Sequence, residues 1–152
     1  MASPLGAELR RVHDSLRADL RALRSAAAGG TSPDARRTLP AHCLAFCAAL
    51  TAHHTGEDAG AFPALAERFP ELAPVLDKMA EDHVWISGIL GRVEELAGEL
   101  LDAGASPRLA GELEGLAAIV ESHFSFEERR IAAALDRLPG TVALLGAGDG
   151  TP

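Results

Sequence analysis

The chain has 152 residues, 47% of them hydrophobic, and a formal net charge of −8. That length accommodates one domain with a real core, and the composition excludes a disordered chain. The acidic balance argues against non-specific nucleic-acid binding, because pairs such as Arg36-Arg37 and Arg129-Arg130 stand among acidic residues.

Ala, Leu, Glu and Arg dominate and Tyr is absent, so helix propensity is high throughout. Leu5, Leu9, Val12, Leu16, Leu20 and Leu23 form a first apolar stripe at three- and four-residue steps. Gly29 to Pro33 closes that helix, with Ser32-Pro33 reading as an N-cap followed by Pro at the first helical position. Leu39, Phe46 and Leu50 carry the second helix, which Pro40 is expected to kink or delay. The stretch Gly60–Pro70 holds two prolines and is expected to separate the second helix from the third. Val75, Leu76, Met79, Ile86, Leu90 and Val93 make the third stripe. A turn over Asp102–Ala105 and a second Ser-Pro pair, Ser106-Pro107, then lead to the fourth. That last stripe runs through Leu109, Leu113, Leu116, Ile119, Val120, Ile131 and Leu135, and Leu138-Pro139-Gly140 ends it. The pattern predicts an all-α, up-down-up-down antiparallel four-helix bundle over residues 1–138, with 139–152 a loose C-terminal tail.

No stretch approaches the ~18 uninterrupted apolar residues of a membrane span. The opening MASPLGAELRR lacks a basic start followed by an apolar run, so a secretory leader is not expected and cytoplasm is the default compartment. Cys43 and Cys47 lie one helical turn apart, a spacing that suits small core residues better than a disulfide.

The histidines reveal an internal repeat. An offset of 70 residues carries His13 to His83, His53 to His123 and Glu57 to Glu127. The same offset carries Leu5 to Val75, Leu9 to Met79, Leu16 to Ile86, Leu20 to Leu90 and Leu50 to Val120. The bundle is therefore expected to be two versions of one helical hairpin related by a pseudo-two-fold. Antiparallel neighbours stand level when equidistant from their connecting turn. His13 and His53 are centred on Pro33, Glu57 and His83 on Pro70, and His83 and His123 on Ala103, each at or beside an expected break. All six residues should thus meet in one layer. His-x-x-x-Glu sets imidazole and carboxylate on one helix face about 6 Å apart. Four imidazoles and two carboxylates in one buried layer cost several kcal/mol unless they pair or bind metal. Imidazole with carboxylate suits iron, manganese or zinc, and bridging carboxylates can hold two ions.

The order His…His-x-x-x-Glu…His…His-x-x-x-Glu, with HHTGED followed by FPAL, resembles the hemerythrin family and its bacterial HHE-type members over residues ~5–136. The resemblance implies a non-haem di-iron centre with two bridging carboxylates and an oxo or hydroxo bridge. Carried over by position, His13 and His53 would bind one iron, His83 and His123 the other, and Glu57 and Glu127 would bridge them. Two departures stand out. Oxygen-carrying members have a further His one turn after the third-helix His, where this chain has Ser87. They also have an Asp in a five-residue step where this chain has Glu127 in a four-residue step. A centre with fewer nitrogens is less suited to reversible O2 carriage and more open to peroxide or nitric oxide.

The function implied is binding of O2, peroxide or nitric oxide at a di-iron centre. The alternatives are an enzyme decomposing peroxide or nitric oxide at that centre, and iron storage or sensing. No general acid or base for catalysis emerges.

Other residues receive plainer readings. His54 aligns with Phe124 and is expected to point sideways along the helix interface, leaving open a seventh ligand, a hydrogen bond to a ligand, or neither. Asp58 aligns with Glu128 and is read as solvated or as a hydrogen-bond partner to a ligand; Asp14, beside His13, is read in the same way. His42, about 16 Å along the axis from His53 on the same face, reads as a core histidine. Phe46, Phe62, Trp85 and Phe126 are expected to pack, those near the layer walling a small apolar pocket.

Overall fold

A computed structural model describes residues 4–29, 33–103, 107–139 and 142–146. Four long helices dominate: α1 (Leu5–Ala27), α2 (Pro33–Gly56), α4 (Ala73–Ala103) and α5 (Pro107–Leu135). A short α3 (Phe62–Arg68) stands between α2 and α4, and there is no strand among the described residues. Helix α1 packs on α2 and α5, and α4 packs on α2 and α5, so each long helix touches its sequence neighbours and the ring closes between first and last. This is the expected up-down-up-down bundle. Among the described residues no helix is long and apolar enough to cross a membrane. Ser32 and Ser106, expected as N-caps, lie outside the described residues, as does most of the turn before Pro107.

The stripes read from the sequence supply the core. Leu9, Leu50, Met79, Ile86, Leu113, Leu116, Ile131 and Leu135 are fully buried. They do not form one continuous apolar mass. One cluster, from Leu16 through Leu50, Val93 and Leu116 to Phe124, fills one end of the bundle. A second, including Leu5, Leu9, Phe62, Leu65, Met79 and Leu135, fills the other. His13, His53, Glu57, His83, His123 and Glu127 lie between the two along their helices.

The structure sharpens three expectations about the chain's path. First, Gly60–Pro70 separates the second helix from the next long one only at its far end. Helical structure runs on through a π turn, Glu57–Ala61, into α3, and breaks only at Phe69. Pro63 lies in the first turn of α3, where a proline's missing N–H costs little. π turns inside helices recur at functional sites, and this one begins at Glu57. Second, Pro40 does not delay α2, which starts at Pro33 and runs through it. Third, residues 142–146 do not trail away as a loose tail. Val142–Leu145 forms a 3₁₀ turn docked on α1, α2 and the π turn, with Leu145 wholly buried. Apolar Leu145 gains more from entering the second core cluster than it loses in ordering.

Candidate metal centre

His13, His53, Glu57, His83, His123 and Glu127 do meet in one layer, and all six are buried. His54 joins them, also buried. The sequence reading set His54 on the flank because only one of two adjacent residues was given an inward face. Adjacent helical residues differ by about 100°. A helix at the corner of a square bundle faces two neighbours at roughly that angle, so both can point inward. Thus His53 turns toward His13 of α1, and His54 stacks on His83 of α4 with ring centroids 3.8 Å apart.

The seven side chains sort into two groups. In one, His13, His53, Glu57 and Glu127 each bring a ligand atom within 4.8 Å of the others; in the second, His54, His83 and His123 do so. The carboxylates reach across. Glu57 Oε1 is 3.5 Å from His53 Nε2 and 3.4 Å from His83 Nε2. Glu127 Oε1 is 3.3 Å from His13 Nε2, while its Oε2 is 3.4 Å from His123 Nε2.

Each of four rings is anchored from behind through Nδ1. His13 meets Glu128 at 2.7 Å, His83 meets Asp58 at 2.9 Å, His123 meets Asp82 at 3.4 Å, and His53 donates to the carbonyl of Leu145 at 2.5 Å. Arg17 backs Glu128 at 2.9 Å and is itself held by Glu121. Neutral imidazole has one N–H, and an outward Nδ1–H leaves Nε2 as a bare lone pair. With its proton turned outward to the Leu145 carbonyl, neutral His53 presents a bare Nε2 to His13 Nε2 at 3.2 Å. The Nε2 atoms of His54, His83 and His123, and all four oxygens of Glu57 and Glu127, are buried without a hydrogen-bond partner. Acceptors do not gather like this at the centre of a folded protein unless a cation satisfies them. The donor set fits a bound metal cation.

The layer's protonation agrees. Burial holds His53 down at about 4, and burial together with His83, His53 and His123 pushes His54 far below the usual range. Burial also lowers His123. These imidazoles are neutral at pH 7, as ligands must be. Burial, reinforced by the adjacent Glu127 charge, raises Glu57 well above the usual carboxylate range, so the metal-free layer keeps a proton there.

These shifts set a pH dependence for the metal-free protein. A histidine depressed on folding contributes stability present above 6.5 and lost as pH falls toward its folded value. For His53 alone the fall from 6.5 to about 4 corresponds to roughly 3 kcal/mol. Glu57, raised on folding, works oppositely: its contribution is lost as pH rises above 4.5. Three depressed histidines outweigh one raised carboxyl between these values. Chelator-treated protein is expected to gain melting temperature from pH 4.5 to 6.5 and decline above. A steady fall from pH 4.5 upward would contradict this.

The geometry agrees with one comparison. The model of the hemerythrin HHE cation-binding domain matches residues 6–135. The chain belongs to this family. No curated protein and no solved structure matches it. As a hemerythrin HHE domain it is a helical, cation-binding unit, and its buried His and Glu groups are suited to holding metal.

The remaining sequence expectations fare unevenly. Asp58 and Glu128, aligned by the 70-residue offset, are indeed equivalent partners of His83 and His13. Asp82 and Leu145 were missed; Asp82 adjoins His83, but nothing local marks Leu145. Asp14 pairs with Arg17 on the surface instead of supporting His13. Ser87 is exposed. His42 is exposed too, a correction to its core reading: Leu39, Cys43 and Phe46 hold the inward face there. His42 is left on the α1 flank, beside a hollow of about 500 Å³ bordered by Ala22, Ala26 and Ala45. Trp85, expected to pack, is 65% exposed, because Met79, His83, Ile86 and Leu90 take the buried arc of α4. Cys43 and Cys47 are buried free thiols, pushed up by burial to about 11 and about 12.

Proposed function

We propose that this hemerythrin HHE domain holds two iron ions and binds a small oxidant, O2 foremost. In this reading His13 and His53 would hold one ion, His54, His83 and His123 would hold the other, and Glu57 and Glu127 would be shared between them. The observation that carries it is the convergence of bare Nε2 lone pairs and unpartnered carboxylate oxygens in two adjoining groups. Nitrogen and carboxylate donors together suit iron. Iron there would supply redox electrons and Lewis acidity toward a diatomic ligand.

The pseudo-two-fold is broken where it matters for a ligand. The position held by His54 in one half is Phe124 in the other. Phe124 stacks on His13 at 3.8 Å and 6°, as His54 stacks on His83 at 3.8 Å and 9°. The His13–His53 group therefore has one nitrogen fewer and an apolar wall beside it, a setting that favours an uncharged diatomic ligand. The histidine protons at Nδ1 are committed to Glu128, Leu145, Asp58 and Asp82. None of these four rings keeps an N–H aimed at the centre to drive bond cleavage, and this favours binding over peroxide turnover.

Iron-supplemented expression followed by elemental analysis is expected to give two irons per chain. Glu127→Ala should lose both, because that side chain reaches both groups. The reduced wild type is expected to take up and release O2 reversibly. Iron-free folded protein would end the proposal, and rapid peroxide loss without reversible uptake would replace it with the enzyme reading.

A further inference from the structure

The four anchored histidines are not supported alike. His13, His83 and His123 lean on carboxylates carried by the helices of the bundle: Glu128, Asp58 and Asp82. Under the repeat, the partner of His53 should stand 70 positions before Asp82. That residue is Val12, which offers no acceptor. The acceptor comes instead from the Leu145 carbonyl, 92 residues away in sequence from His53.

We infer that the C-terminal segment Val142–Gly146 is a built-in positioning element of the centre, in which the Leu145 carbonyl fixes the tautomer and direction of His53. Because a carbonyl only accepts, His53 must carry its proton on Nδ1, and Nε2 is left free to face His13 and Glu57.

Two glycines make the docking possible. A β-carbon on Gly56 would overlap the backbone of Gly146, and one on Gly146 would overlap the Ala52 carbonyl. Gly146 also has φ +71°, a conformation that L side chains rarely adopt. Below this contact Leu145 is wholly buried, and Leu144 lies over Gly60 in the π turn. The segment thus clasps the last turn of α2 and the π turn, the stretch that carries His53, His54 and Glu57.

The inference rests on the layer being a metal centre, so its test includes a readout that needs no metal. Gly56→Ala in the full chain improves local helix propensity while excluding Gly146 from its place. Gly146→Ala attacks the same contact from outside the bundle helices and serves if the first variant folds poorly. In metal-free wild type, nitrogen NMR of the imidazoles should report His53 as the Nδ1–H tautomer. In either variant it should become a mixture or shift to Nε2–H, with helical circular dichroism unchanged. Iron affinity at the His13–His53 group should weaken by about 10- to 100-fold, the range for loss of a partner behind a ligand. An unchanged tautomer in a variant overturns the inference. So does a changed tautomer with full, undiminished loading at both groups. A wild type that binds no iron, with variants that still shift the tautomer, would overturn the metal reading and the centre-positioning role with it, leaving the hydrogen bond standing.

Discussion

On the di-iron reading, His54→Phe is expected to bind one iron per chain against an expected two for the wild type, without loss of folding stability. The substitution copies what the other half of the molecule already does, since Phe124 occupies the equivalent position and stacks on His13 as His54 stacks on His83. The stack should therefore survive. What disappears is the buried Nε2 that faces His83 and His123 without a hydrogen-bond partner. In the metal-free state that nitrogen is a cost, and removing an unsatisfied buried polar atom is worth about 1–3 kcal/mol. The variant should thus melt no lower than wild type when both are stripped, while the group built on His83 and His123 is left with two nitrogens. Elemental analysis and a pair of melting curves, stripped and iron-loaded, read both effects. Two irons bound as tightly as in wild type would return His54 to the bystander role that its position on α2 first suggests.

Phe124→Ala is expected to be the most destabilising change near the layer, at about 3–5 kcal/mol. The ring is fully buried, belongs to the first apolar cluster, lies flat on His13 and has the Arg17 guanidinium 5.4 Å from its centroid. Little around it can collapse into the space, because His13 is pinned at Nδ1 by Glu128 and Arg17 is held by Glu121. For a chain of this length each kcal/mol moves the midpoint by about 2–4 °C, so a fall of roughly 6–20 °C follows. Urea titration with thermal melting measures it. The cavity would also remove the apolar wall beside His13 and His53 and admit water, so reversible O2 uptake should fall more than iron content. Stability within about 1 kcal/mol of wild type would show that the stack contributes little.

Helix count, bundle topology and six of the seven layer residues are legible in the sequence because they depend on periodicity and on distance from turns. Both are one-dimensional quantities in a bundle of short connections. The 70-residue offset further exposes Asp58 and Glu128 as a matched pair, although not what they touch. Less legible is anything that depends on rotation about a helix axis. His53 and His54 are neighbours in the chain, and stripe reading gives the inward face to one of them; the square packing of α2 against both α1 and α4 gives it to both. His42 fails the same way in the opposite direction, since a shared face with His53 does not decide how well the small alanines of α1 cover it.

By itself, then, the sequence determined an all-α bundle with a duplicated His and His-x-x-x-Glu pattern and a buried polar layer at one level. Only the tertiary structure decided that the layer has five histidines instead of four and that its halves differ by His54 against Phe124. It also showed that His53 meets the Leu145 carbonyl through Nδ1. The reason is physical: side-chain periodicity is written locally, whereas a backbone carbonyl has no residue identity. Its place beside His53 depends on where Gly56 and Gly146 let two distant stretches of backbone come together.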